Sequence, residues 1–116
     1  NTLYKEFARA LHLINPKAFS VENVSGMGRR NYAHLLQDQL KVVAEAGYRV
    51  KHQVLNAAEH GVAQERRRIF IVGLRSDLGL DYTFPSPTHG ASSGSSVVTI
   101  KDALAGMPEW PEGEFY

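Results

Sequence analysis

The 116-residue sequence contains no cysteine, a single tryptophan and no apolar run long enough to cross a membrane. The lack of cysteine excludes disulfides, thiolate metal ligands and a thiol nucleophile within these residues, and it fits an intracellular setting. No two of the five histidines are spaced as a ligand pair on one helix, so no metal site is indicated. We therefore expect a cytoplasmic protein with no membrane partner and no metal.

The chain also lacks an initial methionine and a secretory signal, since it begins at Asn1. We expect it to be a piece of a longer protein. Its apolar fraction of 43% and charged fraction of 22% are ordinary for a globular protein. A chain of this length suffices for one small domain.

Charge is distributed unevenly along the chain, although the net formal charge is only +1. Residues 1–75 hold twelve lysines and arginines against six acidic residues, whereas residues 76–116 hold one lysine against six. A basic half of this kind favours a polyanion as partner, and the acidic end is typical of a solvated spacer.

Hydrophobic periodicity predicts five elements before residue 76. Apolar residues at helical spacing predict a helix over residues 2–15 and a second one over residues 31–46. Short runs rich in branched and aromatic residues predict three strands, at residues 17–24, 48–55 and 68–74. The order helix-strand-helix-strand-strand is typical of a layered α/β sheet. Because no helix separates the last two strands, we expect them to run antiparallel at one side of the sheet.

The periodicity stops after Arg75. The following "SDLGLDYTFPSPTHGASSGSS" is rich in proline, serine and glycine, which is typical of a surface connection or linker. One short helix, capped by Thr99, is predicted beyond it. We therefore divide the chain into residues 1–75 and a mostly irregular C-terminal extension, residues 76–116.

Glu22 and Asn23 stand at the end of the first predicted strand, just before a turn at Ser25-Gly26. In layered α/β proteins ligands bind beyond the carboxyl ends of the strands, so this position makes Glu22 a candidate site residue. A carboxyl group partly withheld from water favours its protonated form, which suits it to donate a proton to a ring nitrogen. The alternative is structural: Glu22 caps the following turn or pairs with an arginine.

A second candidate feature is "QERRR", Gln64 to Arg68, which leads into the apolar run "IFIVGL". If strand geometry already holds here, Gln64, Arg66 and Arg68 point to one side of the strand. The guanidinium fork matches phosphate or carboxylate oxygens, so this face suits a nucleic-acid backbone and can also position a carboxylate. The alternative is a solvated basic strand end.

The ordered set of segments resembles the middle of the DNA cytosine-5 methyltransferases. The set consists of a helix, "PKAFSVENVSG", a second helix ending "GYRV", and "VLNAAEHGVAQERRRIFIVG". "ENV" resembles the glutamate motif of that family, and "QxRxR" before an apolar strand resembles its arginine motif. "PSPTHG" and "TIKDALAGMP" are similar to the stretch that leads toward the target-recognition region.

This resemblance implies a partial Rossmann-like methyltransferase sheet. Residues 1–75 would form the C-terminal half of the catalytic core, and residues 76–116 would be the linker and start of the region leading to target recognition. The parent enzyme would flip a cytosine out of double-stranded DNA and add a cysteine thiolate to carbon 6 of the ring. It would then move a methyl group from S-adenosylmethionine to carbon 5.

The resemblance also implies a role for each motif residue. Glu22 would contact ring nitrogen 3 and the exocyclic amine of the cytosine, and Asn23 would hold the local backbone and the cysteine loop. Arg68 would face the flipped base and its phosphate. Arg66 would brace the catalytic loop, and Gln64 would support the turn.

Departures from the family pattern limit what this chain does alone. The Pro-Cys nucleophile motif and the main cofactor motifs are expected upstream of Asn1, so we expect the isolated chain to be inactive and not to bind S-adenosylmethionine tightly. His60 and Ala63 stand where the family usually has tyrosine and proline. A prokaryotic restriction-modification enzyme is the expected parent. The alternative is a non-catalytic nucleic-acid-binding or structural module, and exposed sheet edges make self-association possible.

Overall fold

A computed structural model of the chain describes residues 3–24 and 33–107. Two long helices and three strands follow one another in the predicted order: α1 Leu3–Ile14, β1 Ala18–Val24, α2 Ala33–Glu45, β2 Tyr48–Asn56 and β3 Arg67–Arg75. The mixed α/β class is confirmed. The predicted Ser25-Gly26 turn and the predicted start of the second helix at residue 31 lie outside the described residues.

The C-terminal extension is mostly irregular, as predicted. Within its described part, regular structure is confined to a 3-10 turn at Ser76–Leu78 and the short helix α3, Ile100–Ala103. Thr99 caps α3 through a reciprocal pair of hydrogen bonds with Asp102, which confirms the predicted cap. The hydrogen bonds from the Thr99 side chain and backbone lower the pKa of the Asp102 carboxyl.

The three strands form an antiparallel sheet in the order β1-β3-β2. The predicted antiparallel arrangement of the last two strands is confirmed. The sequence did not predict that β3 lies between the other two. The apolar run of β3 matches burial on both faces, because the adjacent residues Ile71 and Val72 point to opposite faces and both are buried.

Both long helices contribute to a core on one face of the sheet. One cluster joins Leu11 of α1 to Val43 and Tyr48, and a second joins Leu36 of α2 to Ile69 and Ile71. Phe19 of β1 packs against both clusters and makes edge-to-face contacts with two rings, with centroids 5.3 Å from Phe7 and 5.1 Å from Tyr48.

Strand β1 is half covered rather than buried. Its residues alternate between exposed and partly buried along the whole strand, and Phe19, Val21 and Asn23 are the partly buried ones. The other face of β1 is open to water, and Glu22 and Val24 are exposed there. This follows from the helices covering one face only of β1.

Arg75 joins the end of β3 to the end of α1. Its Nη1 donates to the Asn15 carbonyl at 2.8 Å, while Nε and Nη2 donate to the Asp77 carboxylate at 2.8 and 3.1 Å. Asn15 follows the last residue of α1 with φ 47°, the left-handed conformation that ends helices. The hydrogen bonds from Arg75 lower the pKa of the Asp77 carboxyl.

The chain divides into two compact units, and none of the three boundaries between them falls at residue 75. The first unit is Asn1–Leu55 with Arg67–Ser86, and the second is Asn56–Arg66 with Pro87–Tyr116. The loop between β2 and β3 therefore groups with the C-terminal segment, whereas residues 76–86 group with the sheet. Among the described helices, none is long and apolar enough to cross a membrane.

Gly73 provides a test of this packing. It lies opposite Phe19 in the β1-β3 ladder, and a Cβ atom there would overlap the Phe19 ring. We expect Gly73→Ala to lower the free energy of unfolding by about 1–3 kcal/mol through overpacking, measured by urea denaturation of the chain.

The matched control is the same substitution in a Phe19→Leu background, where a smaller side chain leaves room for the methyl group. In that background, Gly73→Ala should lower the free energy of unfolding by less. Equal costs in the two backgrounds would show that the Phe19 ring is not the obstacle.

Candidate active site

The β1-β3 ladder brings the two predicted motifs together. Val24 lies opposite Arg68, and Glu22 lies opposite Phe70. Residues opposite each other, or two apart on one strand, share a face of the sheet, so Glu22 and Arg68 lie diagonally on the same face. Their side chains form an ion pair, with Arg68 Nε 3.4 Å from Glu22 Oε1.

This pair is accessible to a ligand. The Glu22 side chain is 46% exposed and the Arg68 side chain 27% exposed. Arg68 is also held through Nη1, which donates to the Arg67 carbonyl at 2.9 Å. The ion pair is compatible with both interpretations of Glu22, since an arginine that pairs with a carboxylate can also orient it toward a substrate.

Asn23 lies on the opposite face of β1, the face that the helices cover. Its Oδ1 accepts a hydrogen bond from the Val24 backbone N–H at 2.8 Å. Asn23 also lines a cavity of about 390 Å³ between α1, α2 and the sheet, with walls that are mainly apolar: Tyr4, Glu6, Phe7, Phe19, Val21, Gln39, Val43 and Ile71. The adjacent motif residues Glu22 and Asn23 therefore lie on opposite faces of β1.

Gln64 and Arg66 do not belong to the strand. β3 begins at Arg67, so the alternation predicted to put Gln64, Arg66 and Arg68 on one side does not extend to the first two. The reason is a competing set of hydrogen bonds: the Arg66 N–H donates to Asn56 Oδ1 at 3.1 Å, and the Gln64 N–H donates to the Val62 carbonyl at 2.8 Å. Both side chains are exposed and belong to the second compact unit.

Asn56 is the residue that sequence reasoning missed. Its side-chain oxygen accepts from the backbone N–H of Ala58 at 3.4 Å and of Arg66 at 3.1 Å, and thereby closes the base of the loop. It caps the short 3-10 helix Ala57–His60. The signal was present in the sequence, because an asparagine three residues before Glu59 is a typical helix start.

No three His, Asp or Glu side chains gather as a metal site within residues 3–24 and 33–107. The motif residues of β1 and β3 place a carboxylate and a guanidinium on one face of the sheet and an amide on the other. Such groups can hydrogen-bond a base or a phosphate.

Comparison with known proteins places the chain in a family. The sequence profile described as C-5 cytosine-specific DNA methylase matches residues 1–110. The chain belongs to this family.

Particular relatives are type II methyltransferases. M.BsuRI of Bacillus subtilis is 39% identical over 92% of this chain, and M.BspRI of Lysinibacillus sphaericus is 37% identical over 92%. The chain spans about a quarter of the length of these relatives, 25% and 26% respectively.

A solved structure is similar as well. It is described as a DNA modification methyltransferase encoded within a prophage of E. coli, and it superposes with a TM-score of 0.74 at 28% identity. The superposition covers 94% of this chain and 30% of the other.

The exposure of the ion pair predicts that it contributes little to stability. We expect Glu22→Gln and Arg68→Ala each to lower the free energy of unfolding by less than about 1 kcal/mol, because partly exposed ion pairs are screened by water. Chemical denaturation of each variant measures this.

The neighbouring Ile69 is a matched control, since its side chain is only 1% exposed. Ile69→Ala should cost about 2–5 kcal/mol through lost burial and a cavity. If Arg68→Ala proved as costly as Ile69→Ala, the ion pair would be part of what holds the fold together.

Proposed function

We propose that the chain is the central portion of a DNA cytosine-5 methyltransferase. The complete enzyme would transfer a methyl group from S-adenosylmethionine to carbon 5 of a cytosine flipped out of double-stranded DNA. The observation that carries the proposal is the Glu22–Arg68 ion pair, which joins the glutamate motif to the arginine motif in a chain of the matching family.

Glu22 would bind the base. A carboxyl group can hydrogen-bond ring nitrogen 3 and the exocyclic amine of cytosine together, and its proton stabilises the ring as a thiolate attacks carbon 6. The half-exposed carboxylate on the uncovered face of β1 supports this role, because a base can reach it without displacing the core.

Arg68 would orient Glu22 and contact the DNA. The guanidinium has five N–H donors in a planar fork, more than its contacts with Glu22 and the Arg67 carbonyl use. A phosphate oxygen of the flipped nucleotide is a suitable further acceptor. One side chain would therefore position both the carboxylate and the substrate.

The remaining motif residues would support the site. Asn23 would hold the end of β1 through its bond to the Val24 N–H and support the cysteine loop of the complete enzyme. Arg66 would brace the catalytic loop, and Gln64 would support the turn that precedes β3. All three act on backbone or neighbouring segments in this proposal, whereas Glu22 and Arg68 act on the base.

The nucleophile must come from elsewhere in the complete enzyme, because this chain has no cysteine. Most of the cofactor site would likewise lie outside it, so the isolated chain would be inactive. Residues 1–75 would be the C-terminal half of the catalytic core, and residues 76–116 would lead to target recognition. The type II relatives favour a restriction-modification role for the complete enzyme, which we expect to act in the cytoplasm. Self-association through the outer edges of β1 and β2 stays a prediction for the isolated chain.

The role of Glu22 is tested in the full-length enzyme that carries this chain. We expect that enzyme to transfer labelled methyl groups from S-adenosylmethionine to cytosine in duplex DNA. Glu22→Gln should lower the single-turnover rate by more than about tenfold, because the amide cannot supply the proton.

Ser20→Ala is the matched control, since Ser20 is exposed on the same face of β1, two residues away. It should leave the rate unchanged. An unchanged rate in Glu22→Gln would refute the proposed contact with the base.

The role of Arg68 is tested by the salt dependence of DNA binding. We expect Arg68→Ala to weaken binding and to reduce the slope of log affinity against log salt by about 1, the contribution of a single phosphate contact. Titrations of a fluorescent duplex at several salt concentrations measure the slope.

Arg49→Ala provides the comparison, because Arg49 is exposed on β2 and pairs with Asp81 at 3.5 Å. The Arg49→Ala variant should have the same slope of log affinity against log salt as the wild type. The same slope in Arg68→Ala as in the wild type would confine Arg68 to orienting Glu22.

A further inference from the structure

The loop of residues 57–66 carries two of the proposed site residues outside the sheet. It separates β2, which ends at Asn56, from β3, which begins at Arg67. The loops of tight β-hairpins contain two to five residues. The backbone of this longer loop therefore needs hydrogen-bond partners outside the strand ladder. Its base is held by Asn56 and by the Ala57 N–H, which donates to the Arg66 carbonyl at 3.0 Å.

The outer part of the loop is held by the segment Pro87–Gly90. The backbone N–H groups of Thr88 and His89 both donate to the carbonyl of Glu59, at 2.9 and 3.0 Å. One loop carbonyl thus accepts two hydrogen bonds from residues that follow it by almost thirty positions. All of these residues belong to the second compact unit.

The His89 ring lies directly against Gly61. A Cβ atom built on Gly61 would lie 2.9 Å from Cε1 of His89, closer than real side chains approach. Gly61 also has φ 82°, which favours glycine. The ring is oriented by a hydrogen bond between His89 Nδ1 and Thr88 Oγ1 at 2.9 Å. The absence of a side chain at Gly61 thus leaves the space that the His89 ring occupies.

We propose that Thr88 and His89 are positioning residues for the loop that presents Gln64 and Arg66. The inference rests on the proposed function, in which Arg66 braces the catalytic loop and Gln64 supports the turn. Thr88 and His89 lie in the part of the chain that would lead to target recognition. The loop that leads into the arginine motif is therefore in direct contact, at Glu59 and Gly61, with the segment that would lead to target recognition.

The test uses the full-length enzyme with His89→Ala, which removes the ring from Gly61 and the partner of Thr88 Oγ1. Backbone amides of residues 58–64 should exchange with deuterium faster than in the wild type. Single-turnover methyl transfer should fall roughly tenfold, within the loss of about 100-fold that a 1 Å misplacement can cause. The KM for S-adenosylmethionine should stay unchanged.

Two further variants separate positioning from a general loss of structure. His89→Phe keeps a flat ring against Gly61 and should restore most of the amide protection and of the rate. His52→Ala removes an exposed histidine of β2 in the other compact unit and should change neither.

Two results would overturn the inference: unchanged amide exchange in His89→Ala, or faster exchange with an unchanged rate of methyl transfer. If the wild-type enzyme transferred no methyl group at all, the proposed function would fail. The exchange measurement would still decide whether His89 holds the loop.

Discussion

The pairing of β1 with β3 is the constraint on which the candidate site depends. The two strands carry different motifs, and their register sets which side chains meet. With Val24 opposite Arg68, the glutamate and arginine share a face of the sheet. A slip of one residue would turn Glu22 toward the helices and the apolar cavity, where an ionised carboxylate is costly to bury.

The core secures this register from the other face. Phe19 fills the space above Gly73 and contacts rings from α1 and β2, so its position relative to β3 has little freedom. Asn23 then binds the backbone of Val24, the residue opposite Arg68. Aromatic packing on the covered face and charge pairing on the open face are therefore two consequences of one alignment.

The arginine motif is continuous in sequence but divided in structure. Arg68 belongs to the sheet, whereas Gln64 and Arg66 belong to a loop whose backbone is organised by Asn56 and by Thr88 and His89. The backbone at these three alternating positions is thus held by two different sets of contacts. Rigid strand pairing supports Arg68, which is proposed to meet the base, and hydrogen bonds between Glu59 and the C-terminal segment hold the loop that carries Gln64 and Arg66.

Much of the fold follows from local signals. The helical spacing of apolar residues that predicts α2 is confirmed, with Leu36 and Val43 buried, and Gly47 adopts a left-handed φ of 93° just after the helix. Local periodicity has a limit at Ile14, which continues the apolar spacing of α1 but is 74% exposed. Whether Ile14 is buried depends on whether another element packs against it, and the helical period of the sequence carries no information about that.

By itself, the sequence determined the order of the elements, the family and the two motifs, because these depend on neighbours along the chain. Only the tertiary structure decided that β3 lies between β1 and β2, that Glu22 pairs with Arg68, and that β3 begins at Arg67. Each of these depends on hydrogen bonds or packing between residues far apart in the chain. The competition between Asn56 and the strand ladder for the Arg66 N–H is an example, since residue alternation alone favours extending the strand.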